Sequence, residues 1–210
     1  DYYGAIKRID ECVGRIVKTL KEIGIFENTV IIYSSDHGCH FKTRNTEYKR
    51  SCHESSIRIP LVIGGGIEKK GDVHKMVEII DIPRTILDIG DIKIPRGYKG
   101  KNLLKIAEGK EKRDEIFIQI SEYMVGRAIR TKRWKYCVIA PDKDGVKDSF
   151  SDKYVEYQLY DLYSDPFEIV NLAGRFEYKR ISEVLSDRLI KKIKEVEGMD
   201  VEIKEARFYP

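Results

Sequence analysis

The chain has 210 residues, 41% of them hydrophobic and 35% charged, enough for one good domain or a domain and a half with a real core. Its 39 basic and 35 acidic residues leave a net charge of +4 with no concentrated basic stripe, so nucleic acid is not an expected partner. No apolar run approaches the roughly 20 residues that a membrane-spanning helix needs.

The opening DYYGAIKRID carries no initiator Met, basic n-region or apolar h-region, and reads as the inside of a helix. Upstream residues are therefore expected, and the compartment stays open, cytoplasmic or exported. From Tyr2 to Gly24, Ile6, Ile9, Val13, Ile16, Val17, Leu20 and Ile23 recur at three- and four-residue steps. That spacing predicts one amphipathic helix, with Gly24 as its stop. Val30–Ser34 is apolar without alternation, which suits a strand buried on both faces, as in a parallel sheet.

A charged loop follows, and IRIPLVIGGG then predicts a second buried strand ending in glycines. HKMVEII reads as a short strand turning into a helix, for which Asp81 is the N-cap, Pro83 lies in the first turn, Ile86, Leu87 and Ile89 are buried, and Gly90 is the end. Residues 95–114, rich in Gly, Lys and Arg, read as a connector.

Beyond it, EIFIQISEY, GRAIRTKRWKYCVIA and EYQLYDLYSD predict a mainly antiparallel sheet with one wet face, and DSFSDKYVEY a polar hairpin region. Phe176 to Gly198 reads as a closing helix with Ile181, Val184, Leu185, Leu189, Ile193 and Val196 inside. The fold class is α/β: a layered sheet with helices over residues 1–105, then an α+β subdomain with an antiparallel sheet over residues 106–210.

The chemistry concentrates in residues 36–54. Asp36 and His37 follow a strand end, where open α/β sheets collect ligands, and both can reach one divalent cation if Gly38 lets the backbone turn. The competing reading makes Asp36 a turn cap and His37 a local hydrogen-bonding group. Lys49 and Arg50 suit an oxyanion such as sulfate or phosphate, or are solvated loop charges. His40 and His53 could donate to a substrate or leaving group, or be polar packing. Arg130, Arg133 and Trp134 could clamp a sugar, although Trp134 in the sheet core with the arginines on the wet side fits the pattern better. Four cysteines, Cys12, Cys39, Cys52 and Cys137, lack metal-site spacing; Cys39 and Cys52 flank the loop and could pair as a disulfide, although sequence spacing does not establish their proximity.

YYGAIKRIDECVGRIVKTLKEIGIFENTVIIYSSDHG, KRSCHESSIRIPLVIGGG, VEIIDIPRTILDIGDIKIP, AIRTKRWKY and YQLYDLYSDPFEIVNLAG, in this order, resemble the sulfatase family of the alkaline-phosphatase superfamily. The resemblance implies an alkaline-phosphatase-like fold and sulfate-ester hydrolysis, of a sulfated carbohydrate or an aryl ester. It implies Asp36 and His37 as ligands of Ca2+, or Mg2+, Lys49 as the catalytic residue on the sulfate, and Glu54 and Arg58 as anchors of the loop. Cys52, His40 and His53 depart from the family's commonest pattern, and His40, Arg50 and His53 are expected to face the substrate.

The family's nucleophile, a formylglycine made within a Cys/Ser-x-Pro/Ala-x-Arg motif, has no counterpart here: Cys12 precedes VGR and Cys52 precedes HES. It and the first pair of metal-binding aspartates are expected upstream, so this chain is expected to be inactive alone. A phosphodiesterase or phosphonate hydrolase of the same superfamily, and a truncated fragment that binds an anion or a partner without catalysis, remain as alternatives.

Overall fold

The computed structural model describes residues 1–66 and 71–206, which form two compact units. Among the described residues, no helix is long and apolar enough to cross a membrane.

The first unit comprises residues 1–36 and 59–72. Helix α1 (Tyr2–Glu22) stops where the sequence predicts. Gly24 adopts φ +75°, its N–H donates to Lys21 O at 3.1 Å, and Ile25 N–H donates to Leu20 O at 3.0 Å. This Schellman pair satisfies the last carbonyls, and glycine takes the left-handed position without a Cβ clash. The apolar stripe of α1 is not buried: Ile9 is 49% exposed and Ile16 58%.

Strands β1 (Val30–Ser34) and β2 (Leu61–Gly65) form a two-stranded antiparallel ribbon with Ile32 opposite Ile63. The expectation of a parallel, doubly buried strand is thus corrected. A β-branched run specifies a strand and an apolar environment, but not its neighbour's direction. The glycines that end β2 serve close approach. A Cβ on Gly65 or Gly66 would lie 2.0 Å from the carbonyl oxygen of Thr29 or Glu27.

The second unit comprises residues 37–58 and 73–206 of the described chain. It contains α2 (Glu54–Ile57), α3 (Asp81–Ile89), α4 (Leu103–Ala107), β3 (Glu115–Ile120), β4 (Gly126–Thr131), β5 (Trp134–Ile139), β6 (Lys153–Asp161), α5 (Lys179–Glu197) and β7 (Glu202–Lys204). The sheet order is β3-β4-β5-β6-β7, antiparallel except for the parallel β6–β7 pair. The family resemblance and the sequence pattern therefore agree with the α/β and antiparallel layers observed.

Several local expectations change. Residues 73–79 form no strand; Glu78 instead accepts the Phe117 N–H at 3.0 Å and pairs with Arg113. Asp81 sits inside α3 rather than capping it, and its carboxylate accepts the Glu78 and Lys101 N–H groups. The connector holds α4, whose Asn102 cap accepts Leu104 and Lys105 N–H at 2.8 and 3.1 Å and which buries Leu103 and Ile106. The polar 148–157 region supplies the first half of β6.

The closing helix α5 packs Leu185, Leu189 and Ile193 on Ile129, Tyr136, Val138 and Leu159. Val184 and Val196, expected inside, are exposed, and the buried stripe runs through Ser182, Leu185, Leu189 and Ile193. The sheet has no wet face in its centre. Ile118, Ile120, Ala128 and Cys137 point away from α5 and are covered by Cys52 and Ile57 from the charged loop.

Candidate active site

The charged loop is built as part of the second unit. Gly38 donates its N–H to Ser56 O at 2.7 Å, and a Cβ at this position would lie 2.2 Å from Ser55 O. The glycine is needed for this close approach and not for a left-handed turn, since its φ is not positive. Glu54 opens α2 and reaches the sheet. Its Oε1 takes the Lys135 Nζ at 2.7 Å, and Arg130 spans both carboxylate oxygens at 3.3 and 3.4 Å.

Lys135 is fully buried and also pairs with Glu168, whose Oε2 accepts the Glu54 N–H at 2.7 Å. Burial alone would raise the Glu54 carboxyl; Lys135 and Arg130 outweigh it and hold it below the ordinary range. The loop is therefore pinned by a buried ion network in which Glu54 reaches β4 and β5 rather than the strand that follows it, while Arg58 lies on the exposed side.

On this support the loop brings two of the expected residues together. Lys49 Nζ lies 2.8 Å from His37 Nε2. His37 Nδ1 lies 2.8 Å from Gly38 O and must donate to it, because a carbonyl only accepts. Nε2 therefore keeps its lone pair and accepts from the ammonium. A hydrogen bond that fixes the tautomer from behind is the arrangement of a metal-ligating histidine, and a positive charge already stands before the lone pair. This donor fits a cation. Asp36 closes the first unit, and its carboxylate accepts from Ser35 Oγ at 3.3 Å. Among the described residues, no group of three or more His, Cys, Asp or Glu side chains could hold a metal ion.

Two of the other expected residues, His40 and His53, lie in the loop's interior. His40 is 2% exposed; its Nε2 donates to Lys49 O at 2.9 Å and its Nδ1 has no partner. His53 is buried, with Nδ1 3.1 Å from Ser51 Oγ and Nε2 3.1 Å from Tyr160 OH. Burial pushes its pKa down to about 3, with Arg44, Lys135 and His40 adding to the shift. Both its nitrogens are thus occupied in a neutral ring. Arg50 donates to Glu122 at 2.7 Å and Glu47 at 2.8 Å.

Arg133 chelates Asp161 at 3.0 and 2.7 Å and covers the Trp134 ring at 4.8 Å. Trp134 packs on the α5-side core, and Arg130 is drawn to Glu54 rather than to water. All four cysteines are free thiols, so Cys39 and Cys52 are not paired. Cys52 instead packs against Cys137, whose thiol is pushed well up by the neighbouring Cys52 thiol and by burial.

Sequence reasoning missed Lys135, Glu168 and Asn45. Lys135 had a signal: a lysine within Trp-Lys-Tyr-Cys-Val-Ile faces the interior on one side or the other and needs a carboxylate there.

Comparison with known proteins decides the family. Residues 47–195 match the family described as N-sulphoglucosamine sulphohydrolase, C-terminal, and residues 1–92 match the family described as Sulfatase. The chain belongs to the sulfatase family.

Among the sulfatases it resembles, arylsulfatase K of Bos taurus is 32% identical over 192 residues, covering 83% of this chain and 33% of the relative. An arylsulfatase of Clostridium perfringens is 33% identical over 204 residues, covering 95% and 40%. A protein solved in complex with its substrate D-glucosamine-2-N,6-O-disulfate superposes with a TM-score of 0.76 at 26% identity, covering 95% of this chain and 41% of that one. The chain spans about a third of the length of the first curated relatives it matches.

Proposed function

We propose that the protein takes part in hydrolysing sulfate esters of a saccharide. Lys49 contacts the sulfate, and Asp36 and His37 are ligands of a divalent cation, Ca2+ or Mg2+. The observation that carries this reading is the Lys49–His37 contact at 2.8 Å in a chain of the sulfatase family. The saccharide is favoured by the glucosamine disulfate in the solved relative, and by an ulvan-active sulfatase of Formosa agariphila that is 29% identical over 209 residues. A phosphonate monoester hydrolase from Silicibacter pomeroyi superposes with a TM-score of 0.71 at 22% identity, which speaks to the fold alone.

When bound, the cation polarises the sulfate oxygens as a Lewis acid. The nucleophile, a formylglycine in this reading, is not supplied by any cysteine of this chain in the required motif. What the chain's own residues do follows from their chemistry. Gly38 O holds the His37 Nδ1 proton, so Nε2 offers its lone pair. Asp36 and His37 Nε2 would hold the cation, and the Lys49 ammonium would face negative charge on the sulfate or the departing oxygen. The Glu54–Lys135–Glu168 network keeps the loop in place while that charge moves.

The test is turnover by the natively encoded protein on a sulfated glucosamine, a chromogenic aryl sulfate and an aryl phosphonate. Lys49→Ala is expected to lower kcat on the sulfate esters by about 10²–10³-fold. Chelation of divalent cations is expected to abolish turnover, with restoration by calcium or magnesium. Full activity in Lys49→Ala, or hydrolysis of the phosphonate alone, overturns the reading.

A further inference from the structure

We infer that His40 is a positioning residue for Lys49, a role that rests on the reading of Lys49 as the sulfate-contacting group. The His40 ring makes one hydrogen bond, from Nε2 to the Lys49 carbonyl at 2.9 Å, and its backbone N–H donates to Tyr48 O at 2.8 Å. Because a carbonyl only accepts, the proton sits on Nε2 and Nδ1 carries a bare lone pair. That lone pair is buried in a residue 2% exposed and finds no donor. An apolar ring would fill the same space without leaving an unsatisfied acceptor. The one thing the histidine ring adds at this place is the grip on the Lys49 carbonyl.

The backbone on both sides of that grip is strained. Phe41 and Lys42, directly after His40, have φ of +52° and +62°, and Arg50, directly after Lys49, has +63°. Side-chain-bearing residues hold such angles only where surrounding contacts force them. Asn45 reinforces the same point, with Nδ2 3.5 Å from Lys49 O and 3.4 Å from Arg50 O. The loop is thus closed on itself at the residue whose side chain reaches His37 at 2.8 Å. Release of the Lys49 carbonyl would let the αL turn at Arg50 relax and swing the ammonium away.

The experiment has two arms. In the metal-free chain, nitrogen-15 spectra of the histidine rings report the Lys49 contact through the His37 Nε2 resonance. His40→Phe keeps an aromatic ring at this place and removes the donor. It is expected to move that resonance to the position seen in Lys49→Ala, in a protein that still melts cooperatively. His40→Gln, whose amide N–H can reach the same carbonyl, is expected to restore it. An unmoved resonance in His40→Phe, or a folded His40→Gln that fails to restore it, overturns the inference.

In the natively encoded protein, with a chromogenic aryl sulfate, His40→Phe is expected to lower kcat by about 10²-fold, the scale of an ångström's misplacement, with KM little changed and glutamine recovering most of the loss. Full turnover in Lys49→Ala would sink the reading of Lys49 and leave the spectral result for His40 standing.

Discussion

Replacement of Lys135 by methionine is the sharpest test of how the charged loop is held. The ammonium is fully buried, 2.7 Å from Glu54 Oε1 and paired with Glu168, itself 2% exposed. At 2.7 Å and an effective dielectric near 20, each such pair carries about 6 kcal/mol of attraction before desolvation is subtracted. In the variant, Glu54 keeps Arg130, but Glu168 keeps only the Glu54 N–H as a donor to its carboxylate.

Removing one partner of a buried pair costs about 3–5 kcal/mol, a large share of the roughly 5–15 kcal/mol that a folded protein has. Trp134, the sole tryptophan and Lys135's chain neighbour, reports urea unfolding by fluorescence. Lys135→Met is expected to lose about 3–5 kcal/mol at pH 7. The loss should shrink in acid. Glu54, held low by Lys135 and Arg130 against its burial, contributes stability above the ordinary carboxylate pKa and loses it as pH falls through its folded value. A loss under about 1 kcal/mol at pH 7 would mean the network is not what pins the loop.

Two further outcomes follow from the same loop. His53 is neutral in the fold down to about pH 3, while the unfolded chain takes up a proton below about 6.5, so stability falls as pH drops through that window. The slope of unfolding free energy between pH 6 and 4 should be steeper in the parent than in His53→Gln by up to about 1.4 kcal/mol per pH unit, and equal slopes would contradict a buried neutral ring. Gly38→Ala places a methyl 2.2 Å from Ser55 O, against backbone that cannot rotate away. It is expected to cost about 1–3 kcal/mol of the second unit's stability, read by thermal melting, and an unchanged melt would show that the 38–55 approach is loose.

What was legible in the sequence was whatever has a local signature. The three- and four-residue apolar steps and the two glycine stops gave α1 and α5, and alternation with β-branched content gave the sheet strands. The order of the loop's polar residues, with the flanking strand and Pro60–Leu61, carried the family. What was not legible depends on contacts distant in sequence. The direction of β2 against β1 and the covering of the sheet's second face by Cys52 and Ile57 are of this kind. So is the burial of Lys135, since its partners lie 81 and 33 residues away in the chain. The histidines at 40 and 53 looked like candidates for chemistry because composition marks residue type and not burial. Gly38 looked like a hinge because absence of a side chain serves two purposes that sequence cannot separate.

The two thiols under the loop give the molecule a clock. Cys52 and Cys137 are sealed between loop and sheet, whereas Cys12 and Cys39 are half-exposed. An alkylating reagent must modify the outer pair first and wait for the loop to lift before it reaches the inner pair, so the lag between the two events measures the frequency of that lifting. Undocking of the segment can therefore be followed in a sample that turns over nothing.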